Sequence, residues 1–400
     1  MRVQPEFLNI LMLNHNVRGV GTYHRCRYFA KPLVGSGHRV TILTNSKANR
    51  LSFFSNTQNG IKIIESPDML WGQLRSGWDP INALRRIAYL SKEKFDVIHA
   101  FDSRPTVILP ALFLAKKWKC RLIMDWCDWW GRGGVASSRK PRWLNKIFEP
   151  VETFFEENFR KYADHITTIS EPLKIRAVEL GISEDKVTVV PPVANLDEMY
   201  PIDKNSARIQ LGLANDVHIL IFSSYVQYDL DLLFLAMRKV WQRFPSCLLI
   251  ITGKQVSKKY QRAPSQKFIY TGQISQEDLR TYIGASDLCL LPLSDNTANR
   301  ARYPDKLRNY LACGRPVIAS EVGETKKLLD AEYAGLLSKP DAISFAETIM
   351  SALNSEGKFE WWGAQARKIA ETKLAGNHVT DVLEAIYRGD SVHCGTLSSN

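Results

Sequence analysis

Two successive α/β halves, each built on a doubly wound parallel sheet, are the fold predicted by this sequence of 400 residues. Three observations carry that expectation. Short apolar runs alternate with helix-length stretches along the whole chain, the pattern of parallel strands joined by crossover helices. The rhythm occurs twice, with Pro191-Pro192 between the two series. At roughly 150 residues per domain the length suits two or three domains. Hydrophobic residues make up 45% and charged residues 24%, ordinary for a soluble globular chain, which excludes disordered and fibrous classes.

The elements follow in order. Phe7–Leu13 reads as the first strand, then a glycine turn (Arg18-Gly-Val-Gly-Thr22) and a helix over Tyr23–Val34 that stops at Gly35-Ser-Gly37. Val40–Leu43, Ile61–Ile64, Val97–His99, Leu122–Met124, Ile166–Ile169 and Val187–Val190 are further strands, with helices over Ile81–Lys94 and Thr106–Lys117. Pro191-Pro192 then serves as a hinge, since proline both ends a strand and stiffens a linker. Beyond it, Ile219–Ser223, Leu248–Thr252, Phe268–Tyr270, Leu288–Leu291 and Val317–Ala319 are strand-like. Helices are expected around Leu230–Phe244, Gln276–Ile283, Asp305–Ala312 and Thr325–Asp330. Lys358–Arg388 reads as helix that packs back across the joint, and the last dozen residues as a frayed tail. The expectation is thus two Rossmann-like domains facing a cleft, over 1–192 and 193–375, with a returning segment over 376–400. In such sheets ligands lie beyond the carboxyl ends of the strands.

The formal net charge is +12, divided as +9 over residues 1–200 and +3 over the rest. An anionic partner such as phosphate or a lipid surface would meet the first half; an idle basic surface has the same composition. The basic residues are dispersed and no nucleic-acid module appears, so nucleic acid is not expected. The cysteines (Cys26, Cys120, Cys127, Cys247, Cys289, Cys313, Cys394) lack any CxxC or paired histidines, which reads as reduced thiols in a cytosol, without disulfides or metal. The apolar run at the start is too short for a signal sequence, and Val107–Ala115 falls short of the ~20 residues that a span requires. A soluble or peripheral protein is expected.

Three stretches carry candidate chemistry. Gly19-Val-Gly21 lets backbone approach a phosphate before a helix N-terminus, though its spacing is not that of a dinucleotide fingerprint. Leu122-Ile-Met-Asp-Trp-Cys-Asp-Trp-Trp-Gly-Arg-Gly-Gly134 sets Asp125, Asp128, Trp129 and Trp130 at a strand end. Carboxylates there hold hydroxyls or act as bases, and indole faces stack on sugar rings; a structural tryptophan cluster is the bland alternative. Asn299-Arg-Ala-Arg-Tyr-Pro-Asp-Lys306 pools Arg300, Arg302 and Lys306 at the opening of a helix, a setting that suits a diphosphate. A solvated basic loop would look alike. Separately, Arg139, Lys140, Arg142 and Lys146 accompany an apolar series, Trp143, Ile147, Val151, Phe154, Phe155 and Phe159, at helical spacing. That series either lies on an anionic membrane surface or packs on its own sheet.

In order along residues 8–388 the motifs resemble a known family. Gly19-Val-Gly-Thr-Tyr23, Gly37-His-Arg-Val-Thr-Ile-Leu-Thr44 and Phe95-Asp-Val-Ile-His-Ala100 resemble the opening of GT-B glycosyltransferases. So do Ala163-Asp-His-Ile-Thr-Thr-Ile-Ser170 and Asp185-Lys-Val-Thr-Val-Val-Pro191, and in the second half Ala285-Ser-Asp-Leu-Cys-Leu-Leu-Pro292 and Asp305-Lys-Leu-Arg-Asn-Tyr-Leu-Ala-Cys-Gly-Arg-Pro-Val317. The resemblance is to the large family four, the group 1 transferases. It implies a retaining, metal-independent transferase without cofactor, with the nucleotide-sugar donor in the C-terminal domain and a saccharide or lipid-linked acceptor in the N-terminal one.

The chain also departs from the family pattern. The second Glu of the family's E-x7-E pair falls on Asn309, and the position eight earlier is Ala301. Ser223-Ser-Tyr-Val-Gln-Tyr-Asp229 lacks the usual Arg and Lys, and the site histidine falls on Cys127, beside Asp128. The resemblance together with the residues therefore assigns Asp128 to catalysis and Trp129 and Trp130 to the acceptor. It assigns Gly19, Gly21, Lys254, Arg300, Arg302, Lys306 and Asn309 to the donor. The lost pair leaves a second reading open, a degenerate member that binds sugar or nucleotide without turnover.

Overall fold

The computed structural model describes residues 6–47, 51–70, 77–138, 142–224, 229–253, 267–330 and 333–390. The chain divides into two compact units, Met1–Val193 with Gly376–Asn400, and Ala194–Ala375. The first unit holds β1 (Asn9–Val17), β2 (Arg39–Asn45), β3 (Phe54–Gln58), β4 (Ile61–Ser66), β5 (Val97–Phe101), β6 (Arg121–Trp126), β7 (His165–Thr168) and β8 (Val187–Val189). Their spatial order is β3-β4-β2-β1-β5-β6-β7-β8, and every neighbouring pair is parallel except β3–β4. Helices α1 (Thr22–Gly35), α2 (Pro80–Leu90), α3 (Pro105–Trp118), α4 (Arg142–Asn158) and α5 (Glu171–Glu179) join them. Strands buried on both faces read as near-continuous apolar runs, and Ile10 to Leu13, Val97 to Ile98 and Leu122 to Met124 are all buried.

The second unit opens with α6 (Lys204–Leu211) and contains β9 (Ile219–Ser224), α7 (Leu230–Arg243), β10 (Leu248–Gly253), β11 (Phe268–Gly272), α8 (Gln276–Ala285) and β12 (Leu288–Leu291). After these come α9 (Thr297–Ala301), α10 (Asp305–Ala312), β13 (Val317–Ser320), α11 (Glu324–Asp330), β14 (Gly335–Ser338), α12 (Ala342–Leu353) and α13 (Phe359–Thr372). Its sheet, ordered β11-β10-β9-β12-β13-β14, is parallel throughout. Leu233, Met237 and Val240 of α7 and Phe345 and Ile349 of α12 close its core against Phe222, Ile251 and Leu290.

The final helix, α14 (Gly376–Arg388), belongs to the first unit. Its Leu383, Ile386 and Tyr387 are buried among Phe29, Ala30 and Phe101, and the Tyr387 hydroxyl lies 2.8 Å from His99 Nδ1. The single long helix expected over Lys358–Arg388 is therefore two, interrupted at residues 373–375 so that α13 and α14 serve different cores.

Other elements depart from expectation for identifiable reasons. The first strand runs to Val17, because Asn14 is satisfied across the sheet, its Nδ2 donating to the Leu43 carbonyl. The edge strand β3 is polar and carries no apolar signal; it pairs with β4 through Asn59-Gly60, both at positive φ, the two-residue hairpin turn. The helix expected over Ile81–Lys94 ends at Leu90. Among the described residues no helix is long and apolar enough to cross a membrane, and the six described cysteines are free.

Candidate functional site

In each sheet the chain reverses its direction of winding at one point, and the loops beyond that point form the natural ligand crevice. The order places it between β1 and β5 in the first unit and between β9 and β12 in the second. The candidate residues can be placed against these two rims.

At the first rim, Asp125 is fully buried and its carboxylate is consumed by structure. Arg25 donates to it twice, both contacts at 2.9 Å, and Thr167 Oγ1 donates at 2.6 Å. The same guanidinium reaches the Val190 carbonyl at 2.8 Å, so one ion pair ties α1, β6, β7 and the end of β8 together. Burial alone would raise the Asp125 carboxyl, but Arg25 outweighs it and holds it below the usual carboxylate range. Cys127, at the position of the family's histidine, donates its thiol to Asp125 and is pushed well up by burial, which keeps it protonated.

Asp128 is half-buried one residue further on, its carbonyl fixed by the Trp126 indole N–H at 2.9 Å. The loop that follows is organised by Glu156 of α4, whose carboxylate accepts from the backbone N–H groups of Trp130 (2.8 Å) and Gly131 (2.6 Å) and from Trp126 Nε1. Burial raises Glu156. Trp129 and Trp130 are half-buried, and each already has a cation over one ring face: Arg176 at 3.6 Å from Trp129 and Arg104 at 4.7 Å from Trp130. The loop tolerates no side chain at Gly134, where a Cβ would stand 2.1 Å from the Trp129 carbonyl. Gly134→Ala is therefore expected to displace Trp129, lowering the unfolding midpoint by a few degrees and changing the near-ultraviolet dichroism of the indoles.

Sequence reasoning passed over a pair at this rim. His15 near the end of β1 and Asp102 just past β5 meet at 2.8 Å (Nε2 to Oδ2), both buried. Asp102 sits at φ 79° and also accepts from the Ser103 N–H at 2.6 Å. Burial lowers His15, while Asp102, against its own burial, is held down by the imidazole. The signal was available, since both residues close apolar runs on strands that flank the reversal. Gly19 and Gly21 lie beside this rim at φ 80° and 57°. Asn16 Oδ1 already accepts from the Thr22 N–H, and Val20 and Gly21 carbonyls accept from Tyr23 and His24. The first N–H groups of α1 are thus spent within the turn.

At the second rim, Asp229 opens α7 at φ 63° and organises the loop after β12. It accepts from Ser294 N (3.0 Å) and Asn299 Nδ2 (3.2 Å), with Arg302 Nη2 at 3.6 Å. Lys306, on the first turn of α10, is half-buried with its ammonium 3.9 Å above the Phe222 ring. Burial, with Arg302 adding repulsion, lowers Lys306 to about 7. Tyr310 one turn on accepts from the Ser223 N–H at 2.7 Å, fixing α10 to the end of β9. Two buried hydroxyls near this loop, Tyr303 and Thr325, have no hydrogen-bond partner among the described residues. The structure thus brings Arg302 and Lys306 together. It does not bring Arg300, which is exposed and paired bidentately with Asp295 at 2.5 and 2.7 Å. Asn309 is half-buried on α10, and Lys254 lies outside the described residues.

Two doubly wound units, parallel but for the β3–β4 pair, have the two-domain GT-B architecture. The chain belongs to the glycosyl transferases group 1: that family's profile matches residues 216–355, and the glycosyl transferase 4-like domain profile matches 19–192. It is a glycosyltransferase, moving sugar from a nucleotide-sugar donor in glycan synthesis. A 41.2 kDa uncharacterized protein of the cps region of Klebsiella pneumoniae is 24% identical over 315 residues, 76% of this chain and 81% of that protein. Among solved structures, sucrose-phosphate synthase from Thermosynechococcus elongatus superimposes with a TM-score of 0.76 at 18% identity, covering 96% of this chain and 98% of that one. HepE of Anabaena in complex with UDP-glucose gives 0.68 at 16% identity, covering 96% and 100%. At such identities the structures speak for the fold alone.

Proposed function

We propose that this chain is a retaining, metal-independent glycosyltransferase that passes a sugar from a nucleotide-sugar to a saccharide or lipid-linked acceptor, working in the cytoplasm at the inner face of the membrane. Two cations at the winding reversal of the second unit carry the reading, Arg302 at 3.6 Å from Asp229 and the desolvated Lys306 over the Phe222 ring. A diphosphate leaving group is countered there by fixed cations of the chain, which is electrostatic preorganisation without a metal or cofactor. The hydroxyls of Tyr303 and Thr325 supply donors that have no partner among the described residues. Gly19 and Gly21 contribute shape more than charge, and Arg300 acts only after exchanging Asp295 for ligand.

In the reaction proposed, the bond from the anomeric carbon to the diphosphate oxygen breaks and the acceptor oxygen bonds to that carbon on the same face. Negative charge builds on the diphosphate as that bond breaks, and the acceptor proton then passes to the departing phosphate oxygen, so no protein base is consumed. Asp128 orients the acceptor hydroxyl, between Trp129 and Trp130. Asp128→Asn is expected to lower turnover about tenfold or more with nucleotide affinity unchanged, since it removes a contact made in the transition state. Equal turnover in the variant would return Asp128 to a structural role. The cysteine at position 127 and the missing acidic pair favour a second reading, a binding protein without turnover. Release of free nucleotide from a panel of nucleotide-sugars, with and without membrane extract, separates the two; binding without release throughout the panel selects the second.

A further inference from the structure

We propose that the first unit carries a bilayer-binding face, formed by α4 and the outer sides of α2 and α3, whose partner is an anionic lipid surface. On α4, Trp143, Ile147, Val151 and Phe154 recur every three or four residues and are 62%, 57%, 43% and 52% exposed. The opposite side of the helix is committed to the fold through buried Asn145, Glu152, Thr153 and Glu156. A helix with indole and phenyl rings on its solvent side has the layout of one lying in a membrane interface.

The stripe does not stand alone. Trp78, just before α2, meets Phe155 of α4 edge-on at 5.5 Å, and Arg104, at the start of α3, pairs with Glu152 at 3.0 Å. The amino ends of α2 and α3 therefore abut α4. From there Ile81 and Leu84 continue exposed along α2, and Leu109 and Phe113 along α3. Scattered exposed apolar residues need no explanation, but three neighbouring helices each showing an apolar outer face do.

Charge selects the occupant. The apolar band ends at Lys92 and Lys94 beyond α2 and Lys116, Lys117 and Lys119 at the end of α3, all exposed. Lys117 Nζ donates to the Ser91 carbonyl at 3.2 Å, which draws the two lysine groups to one place. The intervening Glu93 is already paired with Lys62 at 2.7 Å. Lys146 adds a further exposed cation on α4. A cationic margin beside an apolar band matches anionic headgroups over acyl chains, each surface lysine adding to the attraction.

The face deepens the transferase reading by bringing a lipid-linked acceptor to the first unit, yet its test uses no donor. The full chain is sedimented with vesicles of phosphatidylcholine alone and of phosphatidylcholine with an equal part of phosphatidylglycerol, at low and high salt. Binding is expected only to the anionic vesicles at low salt. Trp143→Ser and Ile147→Ser combined should weaken partitioning about tenfold or more, with little change in the unfolding midpoint because both side chains are more than half exposed. Lys116→Gln, Lys117→Gln and Lys119→Gln combined should flatten the salt dependence. Protein left in the supernatant with anionic vesicles overturns the proposal, as does unaltered binding by the serine variant. A wild-type dimer that the serine variant abolishes, without lipid binding, would also overturn it and make the face a self-interface. Failure here leaves nucleotide release untouched, and an inactive enzyme leaves vesicle binding untouched.

Discussion

Asp125→Ala is expected to cost the first unit about 3–5 kcal/mol, because it leaves the buried Arg25 guanidinium without its carboxylate. In a unit of this size that lowers the unfolding midpoint by roughly 10 °C or more, read by calorimetry on the full chain. The cost is large because a single ion pair joins four elements, and Thr167 and Cys127 lose their acceptor at the same time. The effect carries a pH signature. Asp125 is held below its ordinary value in the fold, so its contribution is complete above the unfolded carboxyl pKa of about 4 and fades as pH falls below it. Buried His99 works in the same direction: burial lowers it from 6.5 to about 3, so between those values the unfolded chain binds more protons and stability declines with acidity. The first unit is expected to melt earlier from about pH 6.5 downward. Asp125→Ala should remove only the lower part of that slope. A midpoint within a degree or two of wild type would show that Arg25 finds another partner.

Lys306→Ala is expected to weaken binding of the cognate nucleoside diphosphate by roughly 1.5–3 kcal/mol, about ten- to a hundredfold, the worth of one charge-assisted contact. Calorimetric titration with UDP, ADP and GDP identifies the cognate diphosphate first. Its pH dependence is the sharper test. Without ligand Lys306 gives up its proton near pH 7, whereas a diphosphate restores it by holding the charged form. Wild-type affinity should therefore fall as pH rises above about 7, with a proton taken up on binding, and the slope should vanish in Lys306→Ala. Binding that is equally tight and equally pH-independent in both proteins would place the phosphates elsewhere. Arg302→Ala is the weaker perturbation, since that guanidinium already shares Asp229.

The fold was legible wherever burial writes a pattern. Buried parallel strands such as Val97–Phe101 and Leu288–Leu291 are continuous apolar runs, and the glycines at 35, 37 and 314 mark helix ends. What escaped were elements whose signal is conformational. β3 has a polar sequence and is announced only by Asn59-Gly60, and the division of α13 from α14 depends on which core each helix joins. The site was less legible for a related reason. A carboxylate at a strand end looks the same whether it awaits substrate or holds a guanidinium 100 residues away, so Asp125 and Asp128 could not be told apart before Arg25 was placed. The three cations near residue 303 likewise separate only in space, one paired on the surface and two gathered at the rim. His15 and Asp102 are 87 residues apart, and only the adjacency of β1 and β5 makes them a pair.

The return of α14 to the first unit has a consequence for biosynthesis. Residues 1–193 emerge from the ribosome without the helix that covers His99 and Phe29, and that helix follows only after all of 194–375 has been made. The second unit is one uninterrupted stretch and can close on itself during synthesis, whereas the first must wait with an apolar groove uncovered. Domain order in time therefore runs opposite to domain order in sequence. Any release of the nascent chain before Tyr387 leaves the earlier-made half as the exposed, chaperone-dependent one.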